Sequence, residues 1–291
     1  MQSVKANQSM VKKSQFGMVM KRLAKNKMAI VGLVIVIILL MIAVLANVII
    51  PYDYGYQDTS ALLQAPCAKH LLGTDNLGRD ILSRLIYGTR LSMKMGILSV
   101  LLAAALGTFL GSIAGYYGGI VDDIIMRFLD IYQSIPGLVM CVALAAVLGH
   151  GLNNSILAVG ITTMSGYARM IRGSIMQVKG MEYIEAAVAI NAGDRRIILK
   201  HIMPNAISPL IVQMTMGIGG AILMASTLSY IGLGAQAPMP EWGSMLAGGR
   251  SYMRDYGFIV IFPGLMIMIC VLAFNLLGDG LRDALDPRLK D

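Results

Sequence analysis

Of 291 residues, 56% are hydrophobic and only 14% charged, where a soluble domain carries roughly 25% charged residues; with a mean hydropathy of +0.69, the soluble globular class is excluded. The formal net charge of +8 does not indicate nucleic acid, because Lys5, Lys12, Lys13, Lys21, Arg22, Lys25 and Lys27 precede Met28 with no acid among them. Bases gathered ahead of an apolar run mark the cytoplasmic flank of a membrane helix.

Residues 1–27 form that basic segment, and residues 28–52 the first span. The uncharged run Met28 to Tyr52 exceeds the apolar core of about 7–15 residues in a cleavable leader and suffices for a bilayer that needs about 20. The Val44-Leu45-Ala46 sequence is therefore read as part of an uncleaved anchor. Residues 53–91 fall outside, where Lys69, Arg79, Arg84 and Arg90 are balanced by Asp53, Asp58, Asp75 and Asp80. Beyond Gly78, Ile81, Leu82, Leu85 and Ile86 share a helical face opposed to Arg79, Ser83 and Arg90, which predicts a helix lying along the outer surface. Asp75, Asn76 and Asp80 lack the residue order of a calcium loop and are read as exposed or helix-capping residues.

Further uncharged runs cover Met95–Tyr117, Ile131–Leu148, Ser155–Ala168 (extended back to about Leu152), Asn205 to about Ile231, and Tyr256–Gly278. The expectation is an all-α integral membrane protein of six transmembrane helices, with both termini and residues 180–205 cytoplasmic. Residues 92–278 then form the core, 232–255 an outer connection opened by Gly232, Gly234, Pro238 and Pro240, and 279–291 a cytoplasmic tail.

Gly107, Gly111 and Gly115 recur every four residues and place a backbone-accessible stripe on one helix, as do Gly217, Ala221 and Ala225 on another. Pro136 and Pro263 predict kinks. Asp123 and Arg127, four apart, are expected to pair on a cytoplasmic helix end, rather than to form a proton relay with Asp122 and Asp130. Trp242, the only tryptophan, is expected to anchor at the interface. Cys67, Cys141 and Cys270 show no disulfide or metal spacing and read as packing residues; His70, His150 and His201 are too dispersed for a metal site, and no nucleophile stands beside a base, so no catalytic residue is assigned.

The polar stretch from Glu182 to Asn205 stands apart. Glu182 and Glu185 suit a helix start, Gly193 is expected to break the helix, Asp194 to cap a second one, Ile198 and Ile202 to share one of its faces and Arg196 and Lys200 another, and Pro204 to mark entry into the next span. Two short amphipathic helices joined by a bend would form a knob beneath the membrane.

Glu185-Ala186-Ala187, followed by His201-Ile202-Met203-Pro204, resembles the EAA loop of ABC-importer permeases. The usual glycine of that loop is replaced by Asn191, with Gly193 two residues on. His70-Leu71-Leu72-Gly73-Thr74-Asp75-Asn76-Leu77-Gly78-Arg79-Asp80, Leu228-Ser229-Tyr230-Ile231-Gly232-Leu233-Gly234 with Trp242-Gly243, and the tail from Gly278 to Arg288 are similar to the C-type permease of oligopeptide, dipeptide and nickel importers. The resemblance implies a type I importer permease in a prokaryotic cytoplasmic membrane, paired with a homologous B-type permease, two ATPase subunits and an external binding protein. It assigns Glu182, Glu185, Ala186, Ala187, Asn191, Gly193, Asp194 and Pro204 to the ATPase-docking loop and Asp75, Asn76, Arg79 and Asp80 to a binding-protein contact. The chain has no Gly-x-x-x-x-Gly-Lys-Ser/Thr sequence, so it needs no cofactor of its own, and ATP with Mg²⁺ belongs to the partner ATPases. Peptides are the expected cargo, with nickel or glutathione as alternatives; a gradient-driven secondary transporter is the competing class, disfavoured by the lack of inverted repeats and paired intramembrane charges.

Overall fold

A computed structural model describes residue 17 and residues 20–285. Lys5, Lys12 and Lys13 of the basic cluster and Asp286, Pro287 and Arg288 of the tail signature lie outside the described residues. The helices are α1 (Lys27–Ile49), α2 (Ile81–Tyr117), α3 (Gly119–Gln133), α4 (Gly137–Leu148), α5 (Leu152–Lys179), α6 (Glu182–Ala189), α7 (Asp194–Arg196), α8 (Met203–Tyr230), α9 (Trp242–Gly249) and α10 (Phe258–Leu285). No strand occurs among the described residues; Thr74 and Asp80 form one isolated antiparallel bridge.

α1, α2, the run from α7 to α8, and α10 are each long and apolar enough to cross a membrane, and the pair α3–α4 meets the same test with an 88° bend at Ser134-Ile135-Pro136. The kink expected at Pro136 is thus a full break. Pro263, by contrast, sits buried inside an unbroken α10.

The glycine stripe explains the central packing. α5 lies along α2, and a Cβ added at Gly107 would stand 2.6 Å from the carbonyl oxygen of Met164, at Gly111 2.3 Å from that of Ala168, and at Gly115 2.9 Å from that of Arg172. Only glycine lets these two backbones meet. Ser155, Thr162 and Ser165 of α5 are buried as well, so α5 is a 28-residue helix of about 42 Å whose low hydropathy reflects protein neighbours. On α8, Gly217 faces the Tyr167 hydroxyl, while Ala221 and Ala225 are buried. α1 lies against α10, where Gly32 meets the backbone of Ala273 and Leu277, and leaves Val44 and Val48 exposed, as suits a lipid-facing helix.

Three expectations change here. The stretch from Ile81 to Ile86 is the beginning of the 37-residue α2, with Ile81 and Leu85 buried, because the outer segment packs over this turn. Asp123 and Arg127 do not pair; Arg172 of α5 instead makes a bidentate bond to Asp122, and Arg169 bonds Asp130 at 2.8 Å. These contacts tie α3 to α5. Trp242 is buried, its Nε1 donating to the carbonyl of Leu85 at 3.3 Å, because α9 is drawn into the bundle. All three cysteines are free, and Cys141 and Cys270 are buried.

Candidate functional site

Tyr116, Lys179 and the knob gather at one end of the bundle, with the start of α8; Tyr52, the start of α2, His150 and α9 gather at the other. α6 begins with Glu182 and Glu185 in its first turn, where the helix dipole favours them. It ends at Asn191, whose φ is 56°. The Asn191 amide donates to the Val188 carbonyl at 2.8 Å and the Ala192 amide to that of Ala187 at 3.1 Å, the paired bonds of a left-handed helix terminus. The bend is therefore set by Asn191. Gly193 was expected to make it, but its φ of −62° and ψ of 144° are extended, and a Cβ there would meet nothing within 4 Å.

Asp194 does not cap the second helix either. Its Oδ1 accepts from Tyr116 Oη at 2.7 Å, while Lys179 Nζ donates to the Tyr116 carbonyl at 2.6 Å and lies 5.5 Å from the centre of the tyrosine ring. One residue at the end of α2 thereby joins the knob to the end of α5. Tyr116 and Lys179 carry no motif and were not foreseen; only their helix-end positions hint at such a role.

From α7 the chain enters a wide π turn over Ile197–Ile202 and continues into α8 without a break at Pro204. Pro204 has no N–H to offer the Lys200 carbonyl, and the Met203 amide bonds Ile198 instead, so the looser winding accommodates the proline. It also aligns Ile202 with Ile197, both buried, and not with Ile198, with which it was expected to share a face and which is half-buried.

The knob has two sides. Ile184, Ala187, Ile197 and Ile202 are buried in the same apolar core as Val100 and Ala103 of α2, Ile171 and Ile175 of α5 and Leu210 of α8. Glu182, Glu185, Ala186, Asn191, Gly193, Asp194, Arg195, Arg196, Lys200 and Pro204 are exposed, together with Val188, Leu199 and Ile190, the last at 80%. Within Glu185-Ala186-Ala187, only Ala187 points inward.

The outer signature folds on itself. Gly73 and Gly78, at φ 81° and 71°, turn the chain so that Asp75 Oδ1 accepts from the amides of Leu77 and Arg79 and Oδ2 from Arg79 Nε at 2.7 Å. Asp80 caps α2, accepting from the Ser83 amide at 2.7 Å, and pairs with His70 at 2.9 Å. Asp75 and Asp80 are buried and not exposed, because each carboxylate accepts three hydrogen bonds from its own surroundings; the helix-capping role expected is the one Asp80 fills. Asn76 and Arg79 are half-buried, and Leu77 is exposed. Nearby, the Ser60 hydroxyl and then Lys69 hold the Asp58 carboxyl well below the usual carboxylate range.

Glu241 was overlooked in the sequence. Fully buried, it accepts from Ser92 Oγ of α2 at 3.1 Å, Ser226 Oγ of α8 at 3.0 Å and the Ser244 amide of α9 at 3.0 Å. Backbone closeness supports the same junction: a Cβ at Gly243 would lie 2.3 Å from the Ser226 carbonyl oxygen and one at Gly88 2.2 Å from that of Pro240.

A helical membrane bundle carrying a packed knob at one end and a cross-braced cap at the other is the build of an importer permease. The chain belongs to the family described as binding-protein-dependent transport system inner membrane component, which matches residues 107–291; the N-terminal transmembrane domain of oligopeptide transport permease C matches residues 14–66. It is 46% identical over 270 residues to the dipeptide transport system permease protein DppC of Alkalihalophilus pseudofirmus, covering 93% of this chain and 89% of that one. It is 45% identical over 271 residues to the glutathione transport system permease protein GsiD of Pectobacterium atrosepticum, covering 93% and 90%. The fold is similar to that of the MetNI methionine ABC transporter in an inward-facing conformation, with a TM-score of 0.58 at 18% identity over 71% of this chain and 98% of that one. The C-type permease family indicated by the outer and tail motifs is thereby established, and the gradient-driven class is displaced.

Proposed function

We propose that this chain is the C-type permease of an ATP-driven importer for di- or oligopeptides, with six spans formed by α1, α2, the broken pair α3–α4, α5, α8 and α10, and with the knob and both termini cytoplasmic. A homologous B-type permease completes the path, an external binding protein delivers cargo at the end holding α9, and two ATPase subunits bind ATP and Mg²⁺. Asn76 and Arg79, with the exposed Leu71 and Leu77, are open to the binding protein; Asp75 and Asp80 hold Asn76 and Arg79 in place.

The observation that carries this reading is the two-sided knob. Its buried residues share one core with three bundle helices, so a push on its outer face is transmitted by close-packed side chains. Its exposed face offers Val188 and Ile190 beside Glu182 and Glu185, an apolar patch with a charged rim suited to a cleft on another protein. Dipeptide permease relatives favour peptide cargo; the glutathione permease relatives favour a tripeptide-like cargo as the second reading.

The test is the double substitution Val188→Glu and Ile190→Glu in the four-subunit complex reconstituted in liposomes. Both side chains are exposed, so the variant is expected to insert and fold, yet to lose ATPase co-purification and ATP-driven uptake. Normal copurification and uptake would overturn the docking assignment. Competition of labelled dialanine uptake by unlabelled glutathione separates the two cargo readings.

A further inference from the structure

The break between α3 and α4 opens a hollow that neither the knob nor the outer cap uses. It has a volume of about 360 Å³ and is lined by Tyr132, Gln133, Pro136, Thr162, Ser165 and Met224, among others. Thr162 and Ser165 stand midway along α5, so the hollow lies between the two polar ends of the bundle. Residues 133–137 are exposed there. Non-helical backbone at membrane depth persists only when packed in protein or facing a wet cavity, and interrupted helices at that depth line the passages of transporters.

The chemistry of the lining is narrow. Thr162 and Thr163 spend their hydroxyls on the carbonyls of Ala158 at 2.7 Å and Val159 at 2.9 Å. The Gln133 amide and the Ser165 hydroxyl bond no other described residue, whereas Tyr132 Oη is buried beside Thr162. Uncommitted groups that both donate and accept are costly to leave against hydrocarbon, which argues that something polar enters. Among the described residues, no acid, ammonium, guanidinium or imidazole lines the hollow. That donor and acceptor set matches main-chain amides and is indifferent to side-chain charge, while Met140 and Met224 supply adaptable apolar walls.

We infer that this hollow is a cargo-contact site of the translocation path, where Gln133 and Ser165 exchange hydrogen bonds with the main chain of a peptide in transit. The inference rests on the peptide-importer reading and adds the place of contact and the groups that make it. Gly166 lies on its rim, exposed, and a Cβ there would meet nothing within 4 Å, so the hollow can be filled without disturbing the chain.

The experiment uses the complete importer in liposomes with dialanine and the binding protein. Gly166→Leu should leave basal and binding-protein-stimulated ATP hydrolysis at wild-type rates while uptake falls about tenfold; Gly166→Ala should retain uptake. Gln133→Leu should lower uptake several-fold, and Gln133→Asn should restore part of it. In a Gln133→Cys importer the introduced thiol should react with a membrane-impermeant maleimide and be protected during turnover with dialanine. Unchanged uptake by Gly166→Leu and Gln133→Leu, or a thiol reached only by lipid-soluble reagents, overturns the site. A wild-type importer that fails to take up dialanine sinks the peptide reading as well, and so separates the two failures.

Discussion

At the end of the bundle that holds α9, Asp75, Asp80 and Glu241 are buried and bonded within the chain, whereas at the end that holds the knob Glu182, Glu185, Asp194, Arg195, Arg196 and Lys200 lie in the open. Both ends are rich in polar groups, yet their conformations serve different purposes. The outer cap uses positive-φ glycines and close backbone approaches to hold charges inside; the knob uses one left-handed asparagine to present charges outside. Exposed pairs contribute little to stability, so the knob's charges are available to a partner at small cost to the fold. The buried ones are structural braces, and removing one partner strands the others.

That contrast is broken most severely at Glu241. Glu241→Leu leaves the Ser92 and Ser226 hydroxyls and the Ser244 amide without an acceptor, and is expected to cost about 4 kcal/mol, read as a lowered thermal midpoint in detergent. Glu241→Gln keeps one carbonyl acceptor and should fall between. Next comes Gly111→Ala in the bundle itself. Alanine gains about 1 kcal/mol of helix propensity, but its methyl would stand 2.3 Å from the Ala168 carbonyl oxygen, and overpacking of about 3 kcal/mol wins. A stability equal to wild type would show that α2 and α5 separate freely.

The glycine stripe was legible because a four-residue repeat fixes one helix face whatever lies opposite. The knob was legible as a helix and a bend, since its composition departs from every apolar run, but its second helix is not a separate short one: it runs on through Pro204 into α8. Which residue makes the bend was not: Asn191 and Gly193 both tolerate a left-handed turn, and only the bonds to Val188 and Ala187 decide between them. The run Ile81 to Ile86 was misread because an amphipathic pattern reveals two unlike faces without saying which is wet; Ser83 and Arg84 are polar and buried. Glu241 had one signal, being the lone charge between Gly232 and Gly249, but nothing in the sequence places Ser92 and Ser226 beside it. The uncharged run of α5 looked short and rich in serine and threonine because Ser155, Thr162 and Ser165 are buried within the bundle and not turned to lipid.

The smallest effects separate folding from docking at the knob. Asn191→Val forces a β-branched side chain into φ near 56° and should cost about 1–2 kcal/mol, whereas Asn191→Gly adopts that angle freely and should change stability by only about 0.5 kcal/mol. Gly193→Ser should be neutral to within about 0.5 kcal/mol, because its backbone is extended, its side chain enters open space and serine is as good a helix-start residue as glycine. Melting curves for the three variants check the order. If Gly193→Ser melts with wild type but reduces binding-protein-stimulated ATP hydrolysis, the added hydroxymethyl group has met nothing in this chain, and the obstruction must be with the ATPase seated on the knob. If instead its melting point falls as far as that of Asn191→Val, the bend depends on residue 193 after all, and the division between a self-contained bend and a free outer face is lost.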